Sequence, residues 1–321
     1  MALFVFANLT VIIAEFAGIA ASMELFGVHK HISVPISAFV VWFVVVKGNF
    51  KQVERLLIAI SLIYLTYVFS GVMSNPPWKE VARQIVVPHI RLDKDYLLLF
   101  ITMVGTTITP YMQFYLQSAV VDKGIRIDEY RYVKFDVYAG SFMTVFIAFF
   151  IVLSTGTILH PAGVIVDSAE NAAQALQPLA GDFASHLFAV GLLNASFLAA
   201  FVLPLATAYG LSEAFGWESG INKTFREAPQ FLGFYTAFIV IGAGVILLPN
   251  APLIKIMYLS QTINGMLLPV VLIIMLRLVN DASIMGEFVN SKRMNVIAWF
   301  TVAVLILLTV MLLVTSFVYT F

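Results

Sequence analysis

The chain has 321 residues, of which 61% are hydrophobic and only 11% charged, with zero formal net charge and no cysteine. Roughly 25% charged residues is usual for soluble domains, so a soluble fold is excluded, as are disulfides, thiolate metal sites and a cysteine nucleophile. A balanced charge without a basic domain or long polar tail also leaves no nucleic-acid partner and no separate soluble module.

Spanning lipid requires every backbone group to be paired, which leaves helices or closed barrels; the apolar stretches here have helix length, about 20 residues. The predicted architecture is all-α, in one membrane domain over 1–321, with nine transmembrane spans at about 2–25, 32–46, 53–73, 96–121, 132–157, 183–213, 231–248, 253–276 and 295–320. Met1 runs straight into the first of these with no basic region before it, which is not a signal peptide. If that span runs outward, twelve of the eighteen lysines and arginines fall on the cytoplasmic side. The external loop from Ser74 to Asp95 holds four of the other six, Lys79, Arg83, Arg91 and Lys94, and locally breaks the rule.

Glu15 falls near the middle of the first span, where a charge costs roughly 2.5–3.5 kcal/mol, so it is protonated, paired or facing water. It is a candidate carrier in an ion or proton pathway, or a neutral acid bonded to a neighbouring helix. In the fourth span Gly105-Thr106-Thr107-Ile108-Thr109-Pro110-Tyr111 interrupts an apolar helix. Proline removes a donor and frees a carbonyl, and irregular backbone at this depth is tolerated where it lines a cavity or is buried in protein. Discontinuous helices of this kind build midplane ion sites in secondary transporters; a proline kink satisfied by threonine hydroxyls is the plainer reading. Gln113, Tyr115, Gln117 and Ser118 continue a polar stripe that lines an exit path or bonds between helices.

The loop from Leu159 to Asp182 has no lysine or arginine, and its alanine-rich stretch from Ser168 to Leu176 suggests a short surface helix. In the sixth span His186 and Asn194 read as polar residues satisfied by neighbours, and His160 and His89 lie in loops. In the eighth span Ser260, Gln261 and Asn264 lie within about one turn ahead of Pro269, either converging on the cavity of the broken span or acting as packing contacts. No hydrolase, zinc-protease or phosphate-loop motif stands in a convincing context, so no enzyme is predicted and no cofactor.

The segments Ala14-Glu15-Phe16-Ala17-Gly18-Ile19-Ala20 and Gly105 through Ser118 resemble the third and sixth helices of the Nramp divalent-metal transporters. Pro178-Leu179-Ala180-Gly181 with Leu187-Phe188-Ala189, and Leu259-Ser260-Gln261 with Leu268-Pro269, resemble that family's eighth and tenth. The resemblance runs in order over essentially the whole chain. It implies a LeuT-type (APC) inverted-repeat bundle in which the nine spans are helices three to eleven, with the chain N-terminally truncated relative to the family. The Asp-Pro-Gly-Asn motif of the family's broken first helix occurs nowhere in the sequence, which implies a fragment, a misplaced start or a remnant.

On the same resemblance the metal ligands are Thr106, Thr109 and Gln261, and Tyr111, Gln113, Asn264 and Glu15 lie along the pathway. The family's sixth helix usually reads Ala-Thr-Val-Met-Pro-His; here Thr109 stands at the methionine and Tyr111 at the histidine. Of the carboxylate pair common on the third helix, Glu15 remains. Hydroxyl and carbonyl oxygens favour hard ions, as in the Nramp-related magnesium transporters. The implied function is transport of Mg²⁺ or Mn²⁺ in preference to soft metals, weakly or not proton-coupled, as a multi-pass protein of a prokaryotic inner membrane. The alternatives are an organic-solute transporter of the same fold and a non-transporting sensor or interaction remnant. The expected partners are the divalent ion as substrate and the lipid bilayer.

Overall fold

The computed structural model of the chain describes residues 1–47, 50–87, 91, 93–122, 124–221 and 223–318. His89, Lys123 and the end of the ninth span lie outside the described residues. Every regular element among the described residues is helical. Helix α1 (Ala2–Leu25) turns at Phe26–Gly27 into α2 (Lys30–Val46), whose start is capped by the His29 imidazole accepting from the His31 amide at 3.3 Å. The next span is not one helix. Its first part, α3 (Phe50–Ile60), tightens into a 3₁₀ turn over Ser61–Tyr64 before α4 (Leu65–Met73) completes it.

A short amphipathic helix, α5 (Trp78–Val86), leads to the pair α6 (Lys94–Thr107) and α7 (Pro110–Asp122), which together form one interrupted span. The long α8 (Tyr130–Ile158) follows, then α9 (Ala169–Ala173), α10 (Gln177–Ala180) and the 32-residue α11 (Ala184–Phe215). Gly216 ends α11 in the left-handed region at φ 68°, and the Trp217 amide bonds the Ser212 carbonyl at 2.8 Å, closing the last turn. The chain ends with α12 (Pro229–Ile246), α13 (Leu253–Val279), the single turn α14 (Ala282–Met285) and α15 (Lys292–Val318). Among the described residues eight helices are long and apolar enough to cross a membrane, and α2 is a shorter apolar one. The chain is an all-α, multi-pass integral membrane protein.

Helix α1 is the centre of the bundle, packed on α2, α11, α12 and α13. Its Ile12, Phe16 and Ile19 are fully buried with Phe201, Phe231 and Tyr235 from α11 and α12. Lipid is as apolar as these side chains, so close fit and hydrogen bonds hold such helices together rather than water exclusion. Close fit is visible at Gly18, where a Cβ would collide with the Ser196 hydroxyl. The hydrogen bonds are visible at Asn8, whose amide donates to Thr207 Oγ1 at 2.9 Å with both residues fully buried. At one end Lys30 Nζ donates to the Leu248 carbonyl at 2.9 Å, a cation beside the C-terminus of α12 where the helix dipole favours it.

The alanine-rich stretch does form a short helix, α9 with a 3₁₀ turn to Leu176, which keeps Glu170 exposed and buries its other face. Ala169, Ala173, Ala175 and Leu176 are buried, and Ser70 Oγ of α4 donates to the Ala175 carbonyl at 2.7 Å. Alanine brings little side-chain bulk, so this segment packs closely against α4, α8 and α11.

Candidate functional site

The break between α6 and α7 lies at Ile108 and Thr109. Ile108 is extended at φ −119°, ψ 98°, and its amide still reaches the Val104 carbonyl at 2.9 Å. A residue preceding proline is pushed toward extended backbone, which accounts for the break falling just before Pro110. Thr109 is already out of the helix, so the Gly105 carbonyl loses its helical donor, and Pro110 has no N–H to offer the Thr106 carbonyl.

Helix α13 braces the break. Asn264, fully buried, donates its side-chain amide to the Gly105 carbonyl at 3.1 Å. The two helices cross backbone to backbone there: a Cβ on Gly105 would collide with the Gln261 carbonyl and the Gly265 amide, and one on Gly265 with the Ile101 carbonyl. One turn away Thr102 and Thr262 share a hydroxyl contact of 2.7 Å. Ser260, third of the polar residues expected to converge here, turns back to its own Met257 carbonyl at 2.7 Å. Gln261 Oε1 and Asn264 Oδ1 are buried with no hydrogen-bond partner.

The opposite side of the break is open. Met103, Thr106, Thr107 and Ile108 are exposed, with the Thr107 hydroxyl folded back to the Met103 carbonyl at 2.7 Å. Thr109 is half-buried, and its side chain is hydrogen-bonded to the Tyr111 hydroxyl. Along α7, Gln113 Oε1 is buried without a partner, Gln117 is exposed, and Ser118 Oγ donates to Glu213 of α11 at 2.7 Å.

Glu15 projects from α1 beside Ser196, which hydrogen-bonds its carboxyl, and lies within electrostatic reach of both Tyr111 and Tyr64. Sequence reasoning missed this second polar group. Asn194 donates to Ser61 Oγ at 3.0 Å and to Tyr64 OH at 3.2 Å, and Tyr64 OH donates to the Gly191 carbonyl at 3.1 Å. The lone polar Asn194 was one signal of it, but its partners sit in the 3₁₀ turn of a different span. His186 lies beside two aromatic rings, Phe26 at 5.8 Å and Phe183 at 6.4 Å between centroids.

Among the described residues no three His, Asp or Glu side chains come together, and the polar groups at the break are hydroxyls, carboxamides and backbone carbonyls. The C-terminal end of α6 carries the negative end of its helix dipole into the same gap. An interrupted span braced by a neighbouring helix defines a polytopic membrane protein of the discontinuous-helix kind.

The family model described as "natural resistance-associated macrophage protein-like" (Nramp) matches residues 1–315, and the chain belongs to this family. With that membership comes the LeuT-type fold. Among its relatives, the chain is similar to a divalent metal cation transporter MntH of Caldanaerobacter subterraneus, 25% identical over 87% of this chain and 66% of the relative. It is 24% identical to the MntH of Clostridium acetobutylicum over 80% of this chain and 58% of the relative. With MntH 1 of Pseudomonas aeruginosa the identity is 27%, over 89% and 67%. The chain thus spans about three-fifths to two-thirds of the length of the curated relatives it matches.

Proposed function

We propose that this protein takes part in moving divalent cations across a prokaryotic inner membrane, with Mg²⁺ or Mn²⁺ favoured over soft transition metals and with weak or no coupling to protons. Family membership and the names of the relatives support the divalent ion as substrate and transport, not an enzymatic reaction, as the activity. The finer reading rests chiefly on one observation, the oxygen-rich character of the break: Thr106, Thr109, Gln261 and the freed carbonyls are all oxygen donors, and the one thioether on its open side, Met103, lies a turn earlier in α6. Mg²⁺ and Mn²⁺ suit carboxylate, carbonyl and water ligands, and Mg²⁺ keeps several waters, whereas thioether and thiolate ligands select softer metals.

Thr106 on the open side and Gln261 on the α13 side reach the break from different faces, so these groups alone make less than an octahedral shell. Water or groups outside them complete it, and the open face at Thr106 and Thr107 leaves room for either. Weak proton coupling is supported by the absence of histidine at position 111 and by Glu15 being the single carboxylate in the middle of α1, Glu24 standing at its last turn. The test is uptake of Mg²⁺ and Mn²⁺ by vesicles containing the protein expressed from its complete reading frame. Uptake competed by other divalent ions and indifferent to amino acids and amines is the expected result; competition by amines alone would transfer the reading to an organic solute.

A further inference from the structure

The hydroxyls of Thr102, Thr107 and Thr109, all in the interrupted span, are bonded in two different ways. Thr102 Oγ1 donates to the Leu98 carbonyl at 2.8 Å and Thr107 Oγ1 to the Met103 carbonyl at 2.7 Å, each one turn back within α6. A threonine inside a helix commonly places its proton this way. Thr109 stands in the gap between α6 and α7, and the carbonyl four residues before it, that of Gly105, is already taken by Asn264 at 3.1 Å. Its side chain is bonded instead to the Tyr111 hydroxyl, on the far side of Pro110.

Two hydroxyls that meet place one proton between them, and which of them donates decides what Thr109 offers to the break. A hydroxyl has one proton and two lone pairs. If Thr109 accepted from Tyr111, its own proton would be free to point into the break and oppose a cation there. If Thr109 donates, its lone pairs are left for an electropositive neighbour. The surroundings of Tyr111 favour the second arrangement. Glu15 of α1 lies within electrostatic reach of its hydroxyl, and carboxyl oxygens attract an O–H dipole, which turns the Tyr111 proton toward α1 and leaves its oxygen to accept from Thr109. The Tyr111 ring is packed against the main apolar core, so the hydroxyl stays at this position.

We propose that Tyr111 is a positioning residue: it takes the hydrogen bond of Thr109 and so presents the Thr109 oxygen, lone pairs outward, to a hard divalent ion at the break. Tyr111 does not itself touch the ion. Its role rests on Thr109 being a ligand, as proposed above, and supplies what makes a neutral hydroxyl an effective one, because an outer hydrogen bond of this kind fixes a ligand's orientation and raises its basicity.

The test is a double-mutant cycle of Thr109→Val and Tyr111→Phe on the detergent-solubilised protein expressed from its complete reading frame. Mn²⁺ is the probe, and its binding is read from the loss of the free-ion electron paramagnetic resonance signal. Tyr111→Phe keeps the ring and its packing and removes only the hydroxyl. The expected result is roughly tenfold weaker binding in Tyr111→Phe, a loss at least as large in Thr109→Val, and no further effect of Tyr111→Phe in the Thr109→Val background. Equal losses from Tyr111→Phe in both backgrounds overturn the proposal, since the hydroxyl would then act by a route other than Thr109. Unchanged binding in Tyr111→Phe also overturns it, while the ion reading stands on the Mn²⁺ still bound. Unchanged binding in Thr109→Val removes Thr109 from the site and the role of Tyr111 with it. No Mn²⁺ bound by the wild type overturns both the role of Tyr111 and the ion reading.

Discussion

Asn264 and Gly105 meet across two helices: the side-chain amide of one donates at 3.1 Å to the backbone carbonyl that the other can no longer pair within its own helix. The bond replaces the helical partner lost at the break, so the interrupted span is held open by α13 and not by its own sequence alone. Asn264→Leu removes that donor without changing size greatly. In a membrane such a bond contributes on the order of 1 kcal/mol, so the variant is expected to fold with a slightly lower melting temperature in detergent. Transport is expected to fall at least about tenfold, because the break loses its brace. A stability loss with full transport would show that the bond serves packing only.

Gly105 and Gly265 have no room for a side chain. Gly105→Ala and Gly265→Ala are each expected to push α6 and α13 apart at a cost of about 1–3 kcal/mol, read as lower yield and lower thermal stability. Gly140→Ala in α8, where an added Cβ meets nothing within 4 Å, is the control and is expected to behave as wild type.

Thr109→Met places a thioether where the break now offers a hydroxyl. The ratio of Cd²⁺ to Mg²⁺ uptake is expected to rise about tenfold, corresponding to ~1.4 kcal/mol of differential binding. Parallel uptake assays of the two ions measure it.

Asp93 caps the start of α6, accepting from the Tyr96 amide at 3.0 Å, and this bond with the neighbouring Arg91 holds its carboxyl below the ordinary range. A lowered folded value means that the cap contributes at pH above the unfolded carboxylate value and is lost as pH falls through the folded one. Lower hydrogen-exchange protection factors of the first amides of α6, each taken against the intrinsic rate at the same pH, are expected in Asp93→Ala at neutral pH, and in the wild type only in acid.

Much of the bundle was legible because glycine, threonine and proline leave a local mark. The run from Gly105 to Pro110 announces its own break, and Pro269 with Asn264 and Gln261 marked α13 as its neighbour. Other features depend on distant partners. Nothing local in Ser61 and Tyr64 announces that they meet Asn194, and the 3₁₀ turn holding them reads in sequence as an ordinary apolar span. Ser118 appeared as one of four residues on a stripe, whereas its fixed partner is Glu213, 95 positions away. The alanine-rich stretch reads in sequence as a surface helix without its buried face, because low bulk permits burial as readily as exposure.

On the proposed reading an oxygen-rich break selects hard divalent ions with weak or no coupling to protons. Its most direct test is simultaneous measurement of Mg²⁺, Mn²⁺ and Cd²⁺ uptake and internal pH in vesicles containing the protein from its complete reading frame. Mg²⁺ or Mn²⁺ uptake exceeding that of Cd²⁺, with little acidification, is the predicted result; strong preference for Cd²⁺ with matching proton flux would contradict it.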